Sequence, residues 1–229
     1  MNYLVRSKMH FKVLAILLII ISGLSLNVLG QNMEGNSQIN SKVLILHGYG
    51  ASSNDHWFQW LKEELRMRNF EASIVEFPNS SNPDPAEWLK TLDEEIKNYD
   101  KNVYIIAHSL GCVTVLQHLQ KGRVENNDIE LGGLILVSGF LEPLPKLPEL
   151  NTFLTPEIKT DSLQKITESV VVIGAKNDPI VPYDHIENLA HRLNAKMIEL
   201  ETGGHFLKSD GYREFPKVLS EVEKITTKN

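Results

Sequence analysis

The run Val103-Tyr104-Ile105-Ile106-Ala107 is apolar and β-prone, and it drives straight into His108-Ser109-Leu110-Gly111-Cys112, after which a helical pattern begins. Turning a strand into a helix this sharply requires small residues two places before and two places after the serine. Here they are Ala107 and Gly111. Such an elbow holds the Ser109 hydroxyl proud of the sheet, at the N-terminal end of the next helix, where the local field favours a developing negative charge. The string alone is weak, because serine between small residues is common. Its weight comes from the two further residues it demands, an acid and then a histidine, in that chain order.

Both are present. Val170-Val171-Val172-Ile173-Gly174-Ala175 reads as a buried strand and runs into Lys176-Asn177-Asp178-Pro179. Met197-Ile198-Glu199-Leu200 reads as another strand, ending in Gly203-Gly204-His205-Phe206. Asp178 and His205 therefore each follow the C-terminal end of a strand, where open parallel sheets place their active sites. Asp161, Asp184 and Asp210 are rivals for the acid, but they sit in polar or helical runs.

Around these motifs, strands and helices alternate. Strands are expected at 42–46, 72–77, 102–107, 131–137, 169–173 and 196–200. Helices are expected at 55–69, 85–98, from the elbow to about 121, at 183–193 and at 215–225. Continuous apolar strands separated by amphipathic helices predict a mostly parallel sheet covered on both faces. This is the α/β class, in a minimal form of about six strands, with one domain at 42–229. Between the fourth and fifth strands lie only about thirty proline-rich residues. They predict a minimal cap of one or two short helices over an open, shallow pocket, or else a plain connector.

Residues 1–30 read as a targeting segment. Arg6, Lys8 and Lys12 form a positive start, and an apolar stretch follows that is short for a membrane span. A cleaved signal peptide and an exported, periplasmic or secreted protein are the expectation. The competing reading is a retained anchor, which would hold the protein on a membrane. Residues 31–41 are polar and read as a flexible linker. Without the first 30 residues the chain has 20 basic against 29 acidic side chains, a net −9. That balance argues against nucleic acid or an anionic membrane surface as a partner. Cys112, the one cysteine, reads as a packing residue, and no Cys/His spacing suits a metal. Neither a metal nor a cofactor is expected, and no G-x-G-x-x-G follows the first strand.

The residues assign themselves roles. A serine hydroxyl is a poor nucleophile without an adjacent base. His205 is the candidate base, and Gly203 and Gly204 let its loop turn back toward Ser109. Asp178 is the candidate orienting acid, fixing the imidazole tautomer. The oxyanion hole would use the backbone N–H of Leu110 and that of Tyr49, in the loop His47-Gly48-Tyr49-Gly50 after the first strand. His108 is too close to Ser109 in the chain to reach its hydroxyl and should pack under the site. His47, Gly48, His108, Phe140 and Phe206 are candidate pocket residues, while Tyr49, Trp57, Phe140 and Phe206 are each as easily core or rim.

Together these stretches resemble the small serine hydrolases typified by retinoblastoma-binding protein 9, and especially their bacterial YdeN-like members. The resemblance rests on His47-Gly48-Tyr49, Ala51-Ser52-Ser53, His56-Trp57-Phe58 with Trp60-Leu61-Lys62, and Phe77-Pro78-Asn79 with Trp88. It continues through the elbow, Leu136 to Phe140, Asp178 to Pro182 and Gly203 to Phe206, so that it covers residues 42–225. It implies a compact α/β-hydrolase fold with little or no lid and no cofactor, and Ser109, Asp178 and His205 as the triad. It also implies hydrolysis of small ester or amide substrates. The export segment departs from the family, whose members are usually intracellular.

Three functions compete. The first is a serine hydrolase working through an acyl-enzyme on Ser109, either a carboxylesterase or, with the same triad, a peptidase or amidase. The second is a non-catalytic α/β-hydrolase module that binds protein. The third keeps the triad for perhydrolysis or carbon–carbon bond hydrolysis. A dehalogenase would need Asp where Ser109 stands.

Overall fold

In a computed structural model the chain is described over residues 41–125 and 129–227. The expected targeting segment and all but the last residue of the expected linker lie outside the described residues. No helix among the described residues is long and apolar enough to cross a membrane.

The described residues form a six-stranded, fully parallel sheet in the order β2-β1-β3-β4-β5-β6. The strands are β1 (Lys42–Leu46), β2 (Glu71–Val75), β3 (Val103–His108), β4 (Gly133–Val137), β5 (Val170–Ala175) and β6 (Lys196–Leu200). Strands with both faces covered must be apolar throughout. β3 and β4 are buried at every position, and β1 at all but its first. The two edge strands, each with one neighbour, depart from this: β6 is exposed or half-buried along its length, and β2 is buried only at Ala72 and Val75.

Alternate strand residues feed two cores. Leu44, Leu46, Ile105, Leu134, Leu136 and Val172 face one side, with α2 (Pro85–Glu95), α3 (Leu110–Glu125) and α5 (Tyr183–Arg192). Val43, Ile45, Ile106, Ile135, Val137 and Ile173 face the other, with α1 (Phe58–Met67) and α6 (Pro216–Thr226). Element ends follow local chemistry. α2 begins at Pro85 because Asp84 accepts hydrogen bonds from the N–H groups of Ala86 (2.8 Å) and Glu87 (3.0 Å). α1 is shorter than its apolar pattern suggested. Residues 52–55 close as a turn instead, with Asp55 accepting from the Ser52 N–H and hydroxyl at 2.8 Å.

The proline-rich segment between β4 and β5 contains a 3₁₀ turn, Pro148–Leu154, and the single-turn helix α4, Thr160–Leu163. It is fastened to α3. The Gln117 amide donates to the carbonyls of Phe153 and Pro156, and Gln120 donates to Glu157 and accepts from the Lys159 N–H.

Candidate active site

Ser109 occupies the junction of β3 and α3 with φ +53, a left-handed conformation that costs a serine of order 1–3 kcal/mol. Its N–H bonds to the Val137 carbonyl at 2.9 Å, and its carbonyl accepts the Cys112 N–H at 2.9 Å. The small residues flanking the elbow are there for clearance. A Cβ on Gly111 would lie 2.5 Å from the His47 carbonyl oxygen. Cys112 packs beneath, donating weakly to the carbonyls of Ala107 (3.3 Å) and Val137 (3.5 Å), and its burial pushes the thiol pKa up.

Asp178 and His205 lie side by side. His205 Nδ1 lies 2.8 Å from Asp178 Oδ2. The carboxylate is also held by three donors: the Ser138 hydroxyl (2.8 Å) on Oδ2, and the N–H groups of Ile180 (2.9 Å) and Val181 (3.0 Å) on Oδ1. An acceptor-only group saturated in this way cannot swing away from the ring. It fixes the proton on Nδ1 and leaves Nε2 as the free lone pair. Ser109, Asp178 and His205 follow β3, β5 and β6, all at the carboxyl edge of the sheet. Among the described residues no hydrogen bond joins Ser109 Oγ to His205. Such contacts are often loose before substrate is bound.

The rival acids lie elsewhere. Asp161 and Asp184 are exposed on α4 and α5. Asp210 serves the base loop through its backbone, accepting the N–H groups of His205 and Leu207 at 3.0 Å each.

The loop after β1 is pressed against the elbow. A Cβ on Gly48 would sit 2.8 Å from Ser109 Cβ and 3.3 Å from the Leu110 nitrogen. The Tyr49 backbone therefore starts next to the nucleophile, and Leu110, as first residue of α3, has no intrahelical acceptor for its own N–H. His47 anchors this loop from inside. Its Nε2 accepts the Phe77 N–H at 3.0 Å, so the proton is on Nδ1 and is donated to the Gly48 carbonyl at 3.0 Å. Glu76 approaches Nε2 at 3.8 Å, which favours a charged ring, but burial outweighs it and lowers the His47 pKa.

A profile of the serine hydrolase family matches residues 43–224. The chain belongs to this family. YdeN of Bacillus subtilis (strain 168), a protein named as a hydrolase, is 37% identical over 190 residues, which cover 83% of this chain and 98% of that one. The crystal structure of the B. subtilis ydeN gene product superposes with a TM-score of 0.77 at 36% identity, covering 82% of this chain and all of the other. Serine hydrolase RBBP9 of Rattus norvegicus is 22% identical over 191 residues, covering 82% and 96%. The sheet order and the elbow are those of a minimal α/β-hydrolase, as expected.

The residues expected around the pocket of this serine hydrolase are buried more deeply than its nucleophile and base: His47, His108, Phe140, Phe206 and Trp57 are at most 1% exposed, against 6% for Ser109 and 3% for His205. Phe206 stacks on Phe215 with ring centroids 4.9 Å apart and belongs to the core under α6. Phe140 packs in the core of the opposite face. Large aromatic side chains beside a site are often there to fix the backbone that forms it. Several contributors were not singled out from sequence: Ser138 on the acid, Asn177 on the glycine pair, and His56 beside the base loop. Asn177 Oδ1 accepts from Gly203 (2.8 Å) and Gly204 (3.0 Å). Ser138 had a readable signal, since it follows β4 directly as Ser109 follows β3. His56 had only its place in the His-Trp-Phe motif. Among the described residues no group of three or more His, Cys, Asp or Glu is arranged to hold a metal ion.

Proposed function

We propose that the chain hydrolyses small carboxylic esters through an acyl-enzyme on Ser109. His205 Nε2 takes the serine proton as Oγ attacks the carbonyl, and returns it to the leaving alcohol. Asp178 keeps the ring in the required tautomer and stabilises the imidazolium. Water then enters by the same route and releases the acid. The backbone N–H groups of Tyr49 and Leu110 meet the oxyanion, each worth about 3 kcal/mol in the transition state. What carries this reading is the saturated Asp178 carboxylate bonded at 2.8 Å to His205 Nδ1, in the same edge of the sheet as a serine strained into an elbow. A non-catalytic module would have no reason to retain both the strain and the saturated acid. The short insert, fastened along α3, favours short acyl chains over long ones.

The test is labelling of the purified protein by a fluorophosphonate probe, with Ser109→Ala and His205→Ala beside it. Wild type should label and turn over short p-nitrophenyl esters faster than aminoacyl amides. Ser109→Ala should do neither and still fold. Turnover retained by folded Ser109→Ala would overturn the assignment, and faster amide turnover would make the chain an amidase instead.

A further inference from the structure

The base loop is held almost entirely by side chains that bond its backbone. Asn177 and Asp210 together take the N–H groups of Gly203, Gly204, His205 and Leu207. Two more bonds come from two histidines. His108 Nε2 lies 2.9 Å from the carbonyl oxygen of His205, and the N–H of Lys208 donates to His56 Nδ1 at 3.1 Å. His108 is the last residue of β3 and the chain neighbour of Ser109. A single hydrogen bond thus joins the residue before the nucleophile to the main chain of the base, across 97 positions of sequence.

The protonation states follow from the partners. A carbonyl only accepts, so His108 carries its proton on Nε2. An amide only donates, so His56 Nδ1 is bare. Burial acts in the same direction on both rings, lowering their proton affinity. The rings lie 5.8 Å apart, and that of His108 is 4.9 Å from the His205 ring. Trp57 and Phe58 close the other sides. The bare Nδ1 of His108 is buried with no partner. An unsatisfied buried acceptor is unfavourable, and an apolar ring of similar shape would remove that penalty. The polar ring is useful here only through its Nε2–H bond.

We propose that His108 and His56 are positioning residues that clamp the base loop, one by donating and one by accepting, and so set the distance from His205 to Ser109. The proposal rests on the reading that Ser109 and His205 carry the reaction. Two pairs of variants separate position from mere stability. His108→Phe keeps the ring shape and removes the donor, while His108→Gln returns an N–H near the Nε2 position. His56→Ala removes the acceptor, while His56→Asn returns one near the Nδ1 position and tolerates the φ of +52 found there.

Fluorophosphonate labelling rates, kcat and KM on a short p-nitrophenyl ester, and Tm would be measured for each, with Ser109→Ala as control. His108→Phe and His56→Ala should melt as folded proteins. Their kcat and labelling rate should fall about ten- to a hundredfold, the size expected of a small misplacement. KM should change by less than about threefold, and the Gln and Asn variants should recover most of the loss. A wild-type labelling rate in folded His108→Phe and His56→Ala overturns the clamp alone, as does a loss confined to KM or no rescue by the conservative variants. If His108→Phe does not fold, the His56 pair decides. A folded wild type that does not label overturns the clamp and the hydrolase mechanism together.

Discussion

Gly48 shows how little room the site leaves. The only substituent smaller than a change of backbone is a methyl group, and it would meet Ser109 Cβ at 2.8 Å and the His108 carbonyl oxygen at 3.0 Å. Both neighbours belong to the elbow, which cannot yield without moving the nucleophile. Gly48→Ala should therefore destabilise the protein by about 1–3 kcal/mol and lower kcat at the same time. Urea denaturation and ester turnover on one preparation would check this; a stable variant with full activity would show that the loop has slack. The strain at Ser109 has company: His56, Ser138 and Phe206 also have positive φ, and each borders the acid or the base loop. Ser109, Asp178 and His205 were legible in the sequence because each sits just past an apolar strand, in the chain order the chemistry needs. His56 and Asn177 were not, since they act by meeting backbone groups that only the fold brings near, and Ser138 showed only its place after a strand, not the carboxylate it meets. The aromatic residues stayed open between pocket, core and rim for the related reason that a motif beside a site does not say which way a ring points.

At the level of elements, α3 does two jobs. Its first turn presents Ser109, and its far side carries the insert that follows β4. The Gln117 amide donates to two carbonyls of that insert, those of Phe153 and Pro156. Phe153 in turn packs edge-on against Trp88, whose ring stacks on Phe77 at 4.3 Å. Gln117→Ala should leave both carbonyls short of a donor in a part-buried place and cost about 1–3 kcal/mol. Because the contact lies behind the elbow rather than in it, labelling of Ser109 should persist. A Tm shift with unchanged labelling would bear this out, and lost labelling in a folded variant would tie the insert to the site. The short helices of this insert were predictable from its length and prolines. That they bind along α3 was not, because the donors are two glutamines on a helix whose apolar pattern is nearly uniform. The strands were read well wherever burial on both faces forces an apolar run. The helix ends drifted where polar side chains cap a turn, as Asp55 does before α1.

The molecule as a whole buries imidazoles. His47, His56, His108 and His118 all have their pKa lowered, foremost by desolvation, and His118 falls from 6.5 to about 4 although Asp93 lies 3.3 Å from its Nδ1. The unfolded chain binds protons at these rings near pH 6.5, while the folded one refuses them. Unfolding therefore takes up protons below that pH, and acid weakens the fold. Their contribution is fully present above 6.5 and is lost as pH falls, for His118 down to about 4. For His118, the loss is at most about 1.4 kcal/mol per pH unit within that window. Urea midpoints should drop between about pH 7 and pH 5, and His118→Gln should flatten the slope. A flat wild-type profile would mean that these rings are open to protons in the native state.

The order of the strands has a consequence for the newly made chain. Protein emerges from the ribosome N-terminus first, and the sheet is built outward so that the half carrying Ser109 precedes β6. The elbow can be complete while His205 is still unsynthesised. On the proposed mechanism a nascent or truncated chain carries a strained but unactivated serine, and hydrolysis begins only when the last strand docks at the sheet's edge and delivers the base.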